Sequence, residues 1–339
     1  MARVAVMGAG SWGTAFGMIL SDAGGEPILW AREPEVQESI NTMHRNDMFH
    51  PGVLLPEQIR ATGDPVEALA GASLVILAIP AQTLAANLTA WRDLMEPDAV
   101  VVSLMKGIEL GTMRRMSEVI AQEGGIPPER VAVVSGPNLA REIAQRAPAA
   151  TTVACPDEAS ARRLQDACTT SYFRPYWTTD VVGTEIGGSV KNVIALANGM
   201  AVGLGYGMNS QASLITRGLA EMSRLGVALG ANPMTFLGLA GMGDLIATCQ
   251  SPLSRNRTFG ENLGKGLSVE ETIAVTKQTC EGVKSCLPIL QLARSHDVDM
   301  PITEQVVEVV HHGMSPADML GIFMSRDTKP EQGARPRIG

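Results

Sequence analysis

The sequence predicts an α/β fold in which a doubly wound, mostly parallel sheet is followed by an all-α domain. In the first half, short β-branched runs that are apolar on both faces alternate with helical segments, a pattern typical of a parallel sheet covered on two sides. Beyond Asp180 the strand-like runs stop, and long helical patterns with glycines at their ends take over. The length of 339 residues exceeds the roughly 250 to 300 at which one core stops growing, so we expect two domains.

The predicted elements follow in order along the chain. Seven strands are predicted, over residues 4–7, 27–30, 74–79, 100–104, 131–135, 151–154 and 171–177. Helices are predicted over residues 14–22 and 83–94 between the strands, and over residues 182–200, 211–229, 269–276, 283–294 and 303–311 after them. We therefore expect a sheet domain over residues 1–180, an all-helical domain over residues 181–325 and a flexible tail over residues 326–339.

Composition and charge exclude several classes of protein. Apolar residues make up 45% of the chain and charged residues 18%, which excludes a disordered, collagen-like or coiled-coil protein. The net charge of −8 provides no overall positive field, so we expect no nucleic-acid partner. The apolar stretches are far shorter than the roughly 20 residues of a membrane helix, so we expect no membrane insertion. The five cysteines are odd in number and form no CxxC pair, which argues against a zinc site and a disulfide scaffold. We therefore expect no metal, and reduced thiols in the cytoplasm. We expect no export signal, because strand-like sequence begins at residue 4.

A glycine-rich turn joins the first predicted strand to the first predicted helix. Residues 8–13 read Gly-Ala-Gly-Ser-Trp-Gly, a GxGxxG in the position that a dinucleotide-binding turn requires, so the first domain is predicted to be Rossmann-like. Gly8 would permit the tight turn, Gly10 would let the backbone approach a pyrophosphate, and Gly13 would let the helix pack closely on the strand. The alternative is a glycine-rich turn with no ligand.

The residues after the second predicted strand bear on the choice of dinucleotide. Arg32 would pair with the 2′-phosphate of NADP, whereas Glu33 would repel that phosphate or accept a hydrogen bond from the ribose of NAD. We favour NADP over NAD on this basis. A solvated Arg–Glu pair on the surface explains the same two residues almost as well.

Two polar segments lie where strands of the predicted sheet end, which is where open α/β sheets bind their ligands. Lys106 follows the strand over residues 100–104. The Ser-Gly-Pro-Asn segment at residues 135–138 ends the next strand, and Gly136 would let the backbone approach a ligand. Each segment is equally compatible with an ordinary solvated strand end.

Two adjacent glycines interrupt the first helix of the second domain. Gly187 and Gly188 each cost about 1 kcal/mol relative to alanine, so we expect close approach by a ligand or another backbone to compensate. Lys191, one turn later, would then face a cleft between the domains, where burial and a second cation such as Lys106 would lower its pKa and let it exchange protons. The alternative is an ordinary surface lysine. Because no histidine lies in a recognisable catalytic motif, lysine remains as the proton carrier for hydride chemistry.

Two later segments carry a carboxylate and a pair of guanidinium groups. In residues 241–249 a glycine turn precedes Asp244 at a predicted helix N-cap, with Thr248 on the same face, although a cap without chemical function fits as well. Residues 254–257 read Ser-Arg-Asn-Arg, a candidate anion clamp, because arginine binds phosphate oxygens by paired, charge-assisted hydrogen bonds. A solvated basic loop is the alternative.

These motifs, in this order, resemble the bacterial type of NAD(P)-dependent glycerol-3-phosphate dehydrogenase. The likeness runs from residue 4 to about residue 325 and rests on GAGSWG, KGIE at 106–109, SGPN, GGSVKN at 187–192, GMGDLIATC, SRN and CEG at 280–282. It implies a Rossmann domain followed by a helical domain, a homodimer, and reversible NAD(P)H-dependent reduction of dihydroxyacetone phosphate to sn-glycerol 3-phosphate. The product would supply glycerophospholipid synthesis.

The resemblance also implies roles for individual residues. Together with the three glycines of the turn, the residues expected to bind the cofactor are Ser11, Trp12, Arg32, Phe49, Lys106, Ala140, Arg255, Thr279 and Glu281. The residues expected to hold the substrate are Lys106, Gly136, Asn138, Lys191, Asp244, Ser254, Arg255 and Asn256. Lys191 would be the proton acceptor and donor, and Lys106, Asp244 and Thr248 would complete the catalytic set.

Four residues depart from the family's pattern, namely Phe49, His50, Met105 and Asn138. They bear on fine substrate contacts and cofactor preference, and they leave the reaction class unchanged.

Two other functions also fit the sequence. One is a related two-domain reductase of another hydroxy acid or sugar acid, which a substrate panel with and without phosphate separates. The other is a non-catalytic sensor of NAD(P)H, against which the motif around Lys191 argues.

Overall fold

The computed structural model describes residues 3–276 and 280–325. Its one sheet contains eight strands, β1 (Arg3–Met7), β2 (Glu26–Trp30), β3 (Arg60–Thr62), β4 (Leu74–Leu77), β5 (Val100–Ser103), β6 (Val131–Ser135), β7 (Ala149–Ala154) and β8 (Phe173–Thr178). The strand order is β3-β2-β1-β4-β5-β6-β7-β8, and neighbouring strands are parallel except for β6 and β7. The predicted doubly wound, mostly parallel sheet is confirmed.

Helices cover both faces of this sheet. They are α1 (Ser11–Asp22), α2 (Pro34–Met43), α3 (Pro65–Leu69), α4 (Leu84–Trp91), α5 (Met116–Gly124), α6 (Ala140–Ala144) and α7 (Glu158–Ala167). Successive residues of β1 point to opposite faces, so Val4 and Val6 belong to one hydrophobic core while Ala5 and Met7 belong to the other. The strands are apolar on both faces because both faces are covered.

The strand order reverses at β1, which has β2 on one side and β4 on the other. The connections that leave β1 and β4 therefore pass to opposite faces of the sheet and leave a crevice at the carboxyl ends of the strands. Gly8 directly follows β1, and Lys106 lies three residues after the end of β5, so both occupy this edge.

The second half is helical, as predicted. It consists of α8 (Val181–Gly203), α9 (Met208–Ala228), α10 (Asp244–Gln250), α11 (Arg255–Gly264), α12 (Val269–Thr276), α13 (Glu281–Ser295), α14 (Pro301–His312) and α15 (Pro316–Ser325). The centre is α8, which is buried without a break from Gly183 to Ala201 and packs against α9, α10, α11 and α13. A helix enclosed on all sides places the residues it carries away from water.

Some elements differ from the sequence-based expectation. The three-residue strand β3 was not predicted, because it is too short for an alternating pattern to show. Residues 83–94 form α4 between two 3₁₀ turns rather than one helix. The division between residues 180 and 181 falls at the N-cap of α8 and stays a prediction. The tail over residues 326–339 lies outside the described residues.

Candidate active site

The glycine turn after β1 has the geometry expected of a phosphate-binding loop. Gly8 has φ of +129°, and a Cβ there would lie 2.5 Å from the Ala78 carbonyl oxygen. A Cβ at Gly13 would lie 1.9 Å from the carbonyl oxygen of Gly8, so α1 packs directly on the turn. Nothing lies within 4 Å of a Cβ built at Gly10, the N-cap of α1. The turn is therefore tightly packed at Gly8 and Gly13 and open at Gly10, where the first N–H groups of α1 are available to an anion.

The other residues expected at the cofactor are exposed or half-buried. Arg32 is 73% exposed and its guanidinium lies 3.6 Å from the Glu33 carboxylate. Phe49 is 36% exposed, and Ala140 begins α6. Trp12 packs edge-on against Phe16, and its Nε1 is buried without a hydrogen-bond partner in the described part of the chain. These side chains are thus accessible to a ligand or carry an unsatisfied donor.

The Asp244 carboxylate links two lysines from different parts of the chain. Lys106 Nζ donates to Asp244 Oδ2 at 2.5 Å and to the Gly136 carbonyl oxygen at 3.1 Å. Lys191 Nζ lies 3.0 Å from Asp244 Oδ1 and donates to Thr248 Oγ1 at 2.6 Å. The Thr248 hydroxyl donates in turn to Asp244 Oδ1 at 3.2 Å. The four residues named together from the sequence therefore form one hydrogen-bonded cluster.

Burial governs the charge state of this cluster. Lys191 is 7% exposed, and burial lowers the pKa of its ammonium group to about 8. Asp244 opposes that shift by favouring the charged lysine, and Lys106 adds to it by repulsion. Burial by itself would raise the pKa of the Asp244 carboxyl, but the two lysines outweigh burial and hold that pKa below its usual range. A buried carboxylate thus stands between two cations, one of which can release its proton near neutral pH.

The glycine pair in α8 allows the close packing that creates this cluster. A Cβ at Gly187 would lie 2.4 Å from the Ala240 carbonyl oxygen, and a Cβ at Gly188 would lie 2.6 Å from Ser135 Oγ. The close approach was expected from a ligand or another backbone, and the structure shows a backbone at Gly187 and a side chain at Gly188. A larger residue at Gly187 would push α8, and Lys191 with it, away from the backbone at Ala240, whereas one at Gly188 would meet the Ser135 hydroxyl at the end of β6.

Asp244 was predicted as a helix N-cap, and that prediction was wrong. Gly243 is the N-cap of α10, and Asp244 is the first residue of the helix. The glycine turn before it is a π-helical turn, Leu239–Gly243. Because the Asp244 side chain binds two lysines, it is not available to cap its own helix. Thr248 does lie one turn later on the same face.

A second polar cluster lies beside Lys191. Asn256 donates through Nδ2 to Asn192 Oδ1 at 2.9 Å and accepts from the Gly282 N–H at 2.9 Å. Asn192 extends toward the Lys106 carbonyl oxygen, 3.5 Å away. Asn192 was missed as a site residue because an uncharged amide beside Lys191 gave no separate signal in the sequence.

The predicted anion clamp forms the start of α11. Ser254 is its N-cap, and the Ser254 hydroxyl accepts from the Arg257 N–H at 3.2 Å. Arg255 is exposed at the first position of the helix, whereas Arg257 lies 3.5 Å from Glu261 on the same helix. Of the two guanidinium groups, Arg255 is therefore the one placed toward solvent.

Residues after β6, on β7 and on α13 complete the surroundings of Lys106. Asn138 donates through Nδ2 to Thr151 Oγ1 at 2.9 Å, while its Oδ1 is buried without a partner among the described residues. Glu281 Oε2 is likewise buried without a partner there, and burial raises the pKa of the Glu281 carboxyl. A Cβ at Gly107 would lie 3.5 Å from that oxygen, so Glu281 adjoins the residue after Lys106. Thr279 lies outside the described residues.

The two lysines of the cluster can exchange a proton and attract an anion. Within residues 3–276 and 280–325, no group of three or more His, Cys, Asp or Glu side chains is placed to hold a metal ion. All five cysteines are buried and free. No helix in the described ranges is long and apolar enough to cross a bilayer.

Comparison with known protein families matches nearly the whole chain. Residues 3–161 match the family model described as the N-terminus of NAD-dependent glycerol-3-phosphate dehydrogenase, and residues 180–321 match the model for its C-terminus. A glycerol-3-phosphate dehydrogenase [NAD(P)+] from Streptomyces griseus is 63% identical over 330 residues, which cover 97% of this chain and 98% of that protein. One from Thermobifida fusca is 61% identical over 333 residues, or 98% of this chain and 99% of that protein.

Solved structures give the same likeness in three dimensions. The crystal structure of a glycerol-3-phosphate dehydrogenase from Coxiella burnetii superposes with a TM-score of 0.90 at 35% identity, covering 95% of this chain and 98% of that one. A D-mandelate dehydrogenase superposes with a TM-score of 0.61 at 15% identity, which shows a related fold alone.

Proposed function

The chain belongs to the NAD-dependent glycerol-3-phosphate dehydrogenase family, and we propose that it interconverts dihydroxyacetone phosphate and sn-glycerol 3-phosphate with NAD(P)H. The observation that carries this proposal is the buried Asp244 carboxylate between Lys106 and Lys191, at the sheet edge where the glycine turn opens. The test is the absorbance of reduced nicotinamide with dihydroxyacetone phosphate, set beside hydroxy acids without phosphate. Binding of NAD(P)H without turnover, or preference for a substrate without phosphate, would contradict the proposal.

The residues around the glycine turn fit a nicotinamide dinucleotide. The space above Gly10 is open, and Trp12 and Glu281 each carry a buried polar atom that lacks a partner among the described residues, which a ligand would satisfy. Further residues that we propose to hold the cofactor are Gly8, Gly13, Ser11, Arg32, Phe49, Lys106, Ala140, Arg255 and Thr279. When bound, the nicotinamide supplies a hydride to the substrate carbonyl or receives one from the alcohol.

We favour NADP over NAD on the position of Arg32. Its exposed guanidinium is held by Glu33 across 3.6 Å in an exposed pair, and such pairs contribute little stability. A 2′-phosphate would compete for Arg32 with a higher charge than one carboxylate. The comparison is kcat/KM for NADPH and for NADH at one concentration of dihydroxyacetone phosphate.

Lys191 carries the proton in this proposal. In reduction its ammonium group donates a proton to the substrate oxygen as that oxygen becomes an alkoxide, and in oxidation its neutral amine removes the hydroxyl proton. Lys106 adds positive potential that stabilises the developing oxygen anion. Asp244 keeps the two lysines together, and Thr248 accepts a hydrogen bond that orients Lys191.

The pH dependence of the two directions should be opposite. Because burial lowers the pKa of Lys191 to about 8, kcat/KM for reduction should fall as pH rises through about 8, while kcat/KM for oxidation should rise. The profiles are measured in both directions with a saturating cofactor. Parallel changes in the two directions would assign the titration to another group.

Arg255 is proposed to anchor the substrate phosphate. Replacing Arg255 with alanine should raise KM for dihydroxyacetone phosphate by about 10- to 100-fold, because a charge-assisted hydrogen bond contributes roughly 1.5 to 3 kcal/mol. The value of kcat should fall as well, since binding energy at the phosphate holds the carbonyl in reach. Turnover of dihydroxyacetone, which lacks phosphate, should change little.

Arg257→Ala is the matched control for this prediction. It removes the same side chain from the same turn of α11, but Arg257 interacts with Glu261, 3.5 Å away. Equal losses in the two variants, or full dependence on phosphate in Arg255→Ala, would place the anchor elsewhere.

The substrate site would be completed by backbone and side-chain polar groups of four further residues, Gly136, Asn138, Ser254 and Asn256.

The cellular setting completes the proposal. We place the enzyme in the cytoplasm, where five free thiols would remain reduced. We also propose that it acts as a homodimer and supplies glycerol 3-phosphate for glycerophospholipid synthesis. Light scattering of the purified chain tests the first of these two statements, and lipid labelling in a strain that lacks the gene tests the second.

A further inference from the structure

Two buried polar side chains from the loop after α2 contact the glycine turn. Neither has a role in the proposed hydride and proton transfer. Asn46 and His50 are each 1% exposed. Asn46 Nδ2 donates to the Ala9 carbonyl oxygen at 3.0 Å and to Thr14 Oγ1 at 2.9 Å. His50 Nε2 lies 2.7 Å from the Ser11 carbonyl oxygen. Two carbonyl groups within the GxGxxG therefore accept hydrogen bonds from side chains of another loop, and the Ala9 carbonyl oxygen also accepts from the Thr14 hydroxyl at 3.2 Å.

The direction of the His50 hydrogen bond follows from its partner. A carbonyl oxygen only accepts, so Nε2 carries the proton and donates it to Ser11. Burial lowers the pKa of His50, which keeps the ring neutral and leaves Nδ1 without a proton. His50 is thus an uncharged donor in contact with the turn.

Because the peptide unit is planar, a hydrogen bond that fixes a carbonyl group also fixes the direction of the N–H group of the next residue. In a planar trans peptide, the C=O of one residue and the N–H of the next point in opposite directions. With the Ala9 carbonyl held by Asn46, the N–H of Gly10 points away from Asn46. With the Ser11 carbonyl held by His50, the N–H of Trp12 points away from His50. Above Gly10 lies the open space, since nothing is within 4 Å of a Cβ built there.

Stability alone does not explain two polar side chains in this place. Asn46 Oδ1 and His50 Nδ1 are both buried without a hydrogen-bond partner among the residues that the structure describes. A buried polar atom without a partner destabilises the fold, a cost that apolar side chains of similar size would avoid. The donors of Asn46 and His50 therefore contribute something that an apolar residue would not.

We infer that Asn46 and His50 are positioning residues of the cofactor site, which aim the Gly10 and Trp12 N–H groups at the pyrophosphate of the dinucleotide. This inference rests on the proposed function for the identity of the ligand. It assigns to the loop over residues 44–55 the task of ordering the turn before the cofactor arrives. Neither residue touches the reacting atoms.

His50→Leu removes the N–H donor and replaces the imidazole with an apolar side chain of similar volume. We expect its Kd for NADPH, from a fluorescence titration, to rise about fivefold to tenfold, the range for losing one oriented hydrogen bond. The value of kcat at saturating cofactor and KM for dihydroxyacetone phosphate should stay within about twofold, because the cluster at Lys191 is unchanged. His50→Gln restores an N–H donor and should recover most of the affinity. Asn46→Ala should act in the same direction as His50→Leu.

Ligand fragments separate positioning of the turn from general damage to the domain. ADP-ribose contains the pyrophosphate and adenosine does not, so the affinity lost in His50→Leu should appear with ADP-ribose and be absent with adenosine. The matched control is Asn198→Ala, which removes a fully buried amide that donates to the Cys249 carbonyl oxygen at 3.0 Å in the helical domain. It should lower the melting temperature and leave the Kd for NADPH unchanged.

Two results would overturn the inference. One is His50→Leu binding ADP-ribose as tightly as the wild-type chain, and the other is an equal loss for ADP-ribose and adenosine. If Asn46→Ala does not fold, the His50→Leu and His50→Gln pair still decides the question. Turnover by the wild-type chain is a separate measurement, so a failure of the proposed reaction is distinguishable from a failure of this positioning role.

Discussion

Lys191→Met should lower kcat in both directions by about 10²- to 10⁴-fold, the range for losing a positioned general acid and base. Methionine has nearly the length of lysine and suits a buried site, so α8 should keep its packing. The Asp244 carboxylate retains Lys106 as its partner at 2.5 Å, and no buried charge is left unpaired. The loss should therefore appear in the rate and leave the fold intact, as steady-state kinetics and thermal melting will show.

Two further variants sharpen the Lys191 experiment. Lys191→Arg keeps the positive charge, but arginine does not release its proton near neutral pH, so the rate should stay low. Lys265→Met removes a lysine that is 55% exposed and pairs with Glu261 at 2.7 Å, and it should behave as the wild-type chain does. Activity in Lys191→Met within tenfold of the wild-type value would remove Lys191 from the proton-transfer step.

The sequence predicts those features of the protein that depend on residues close together in the chain. The glycine turn needs only six residues and the strand before it, and the structure shows Gly8 and Gly13 in tight contacts with Gly10 open. Lys191 was singled out because Gly187 and Gly188 sit in a helix where glycine is unfavourable. In both places a close contact requires glycine, so the glycines in the sequence indicate where the contact lies.

The contacts that local sequence patterns do not predict depend on packing between distant segments. Lys106 and Asp244 are 138 residues apart, and Asn192 and Asn256 are 64 apart, so no local pattern states that they meet. Local sequence alone therefore placed Asp244 at a helix N-cap, and its place in the catalytic set came from the family resemblance. Asn46 and His50 were missed for the same reason, since they lie 37 and 39 residues from the carbonyl groups that they hold.

Asp244→Asn should change the pH profile as well as the rate. Asparagine preserves the shape of the side chain but removes the negative charge that favours the ammonium form of Lys191. Burial and the nearby Lys106 would then act unopposed, and the pKa of Lys191 should fall below its value of about 8. The decline in kcat/KM for reduction should move to lower pH, with a loss of roughly 10²-fold on the alkaline side, where each pH unit of displacement costs tenfold.

The matched control is Asp180→Asn, which weakens a structural carboxylate and leaves the lysines alone. Asp180 caps α8, accepting from the Gly183 N–H at 2.9 Å and from the Thr235 hydroxyl at 2.6 Å. Its loss should lower the melting temperature without moving the pH profile. If Asp244→Asn lost activity equally at every pH, the carboxylate would act by holding geometry alone. A profile displaced to higher pH would contradict the electrostatic role, because removing a negative charge cannot stabilise the ammonium form of Lys191.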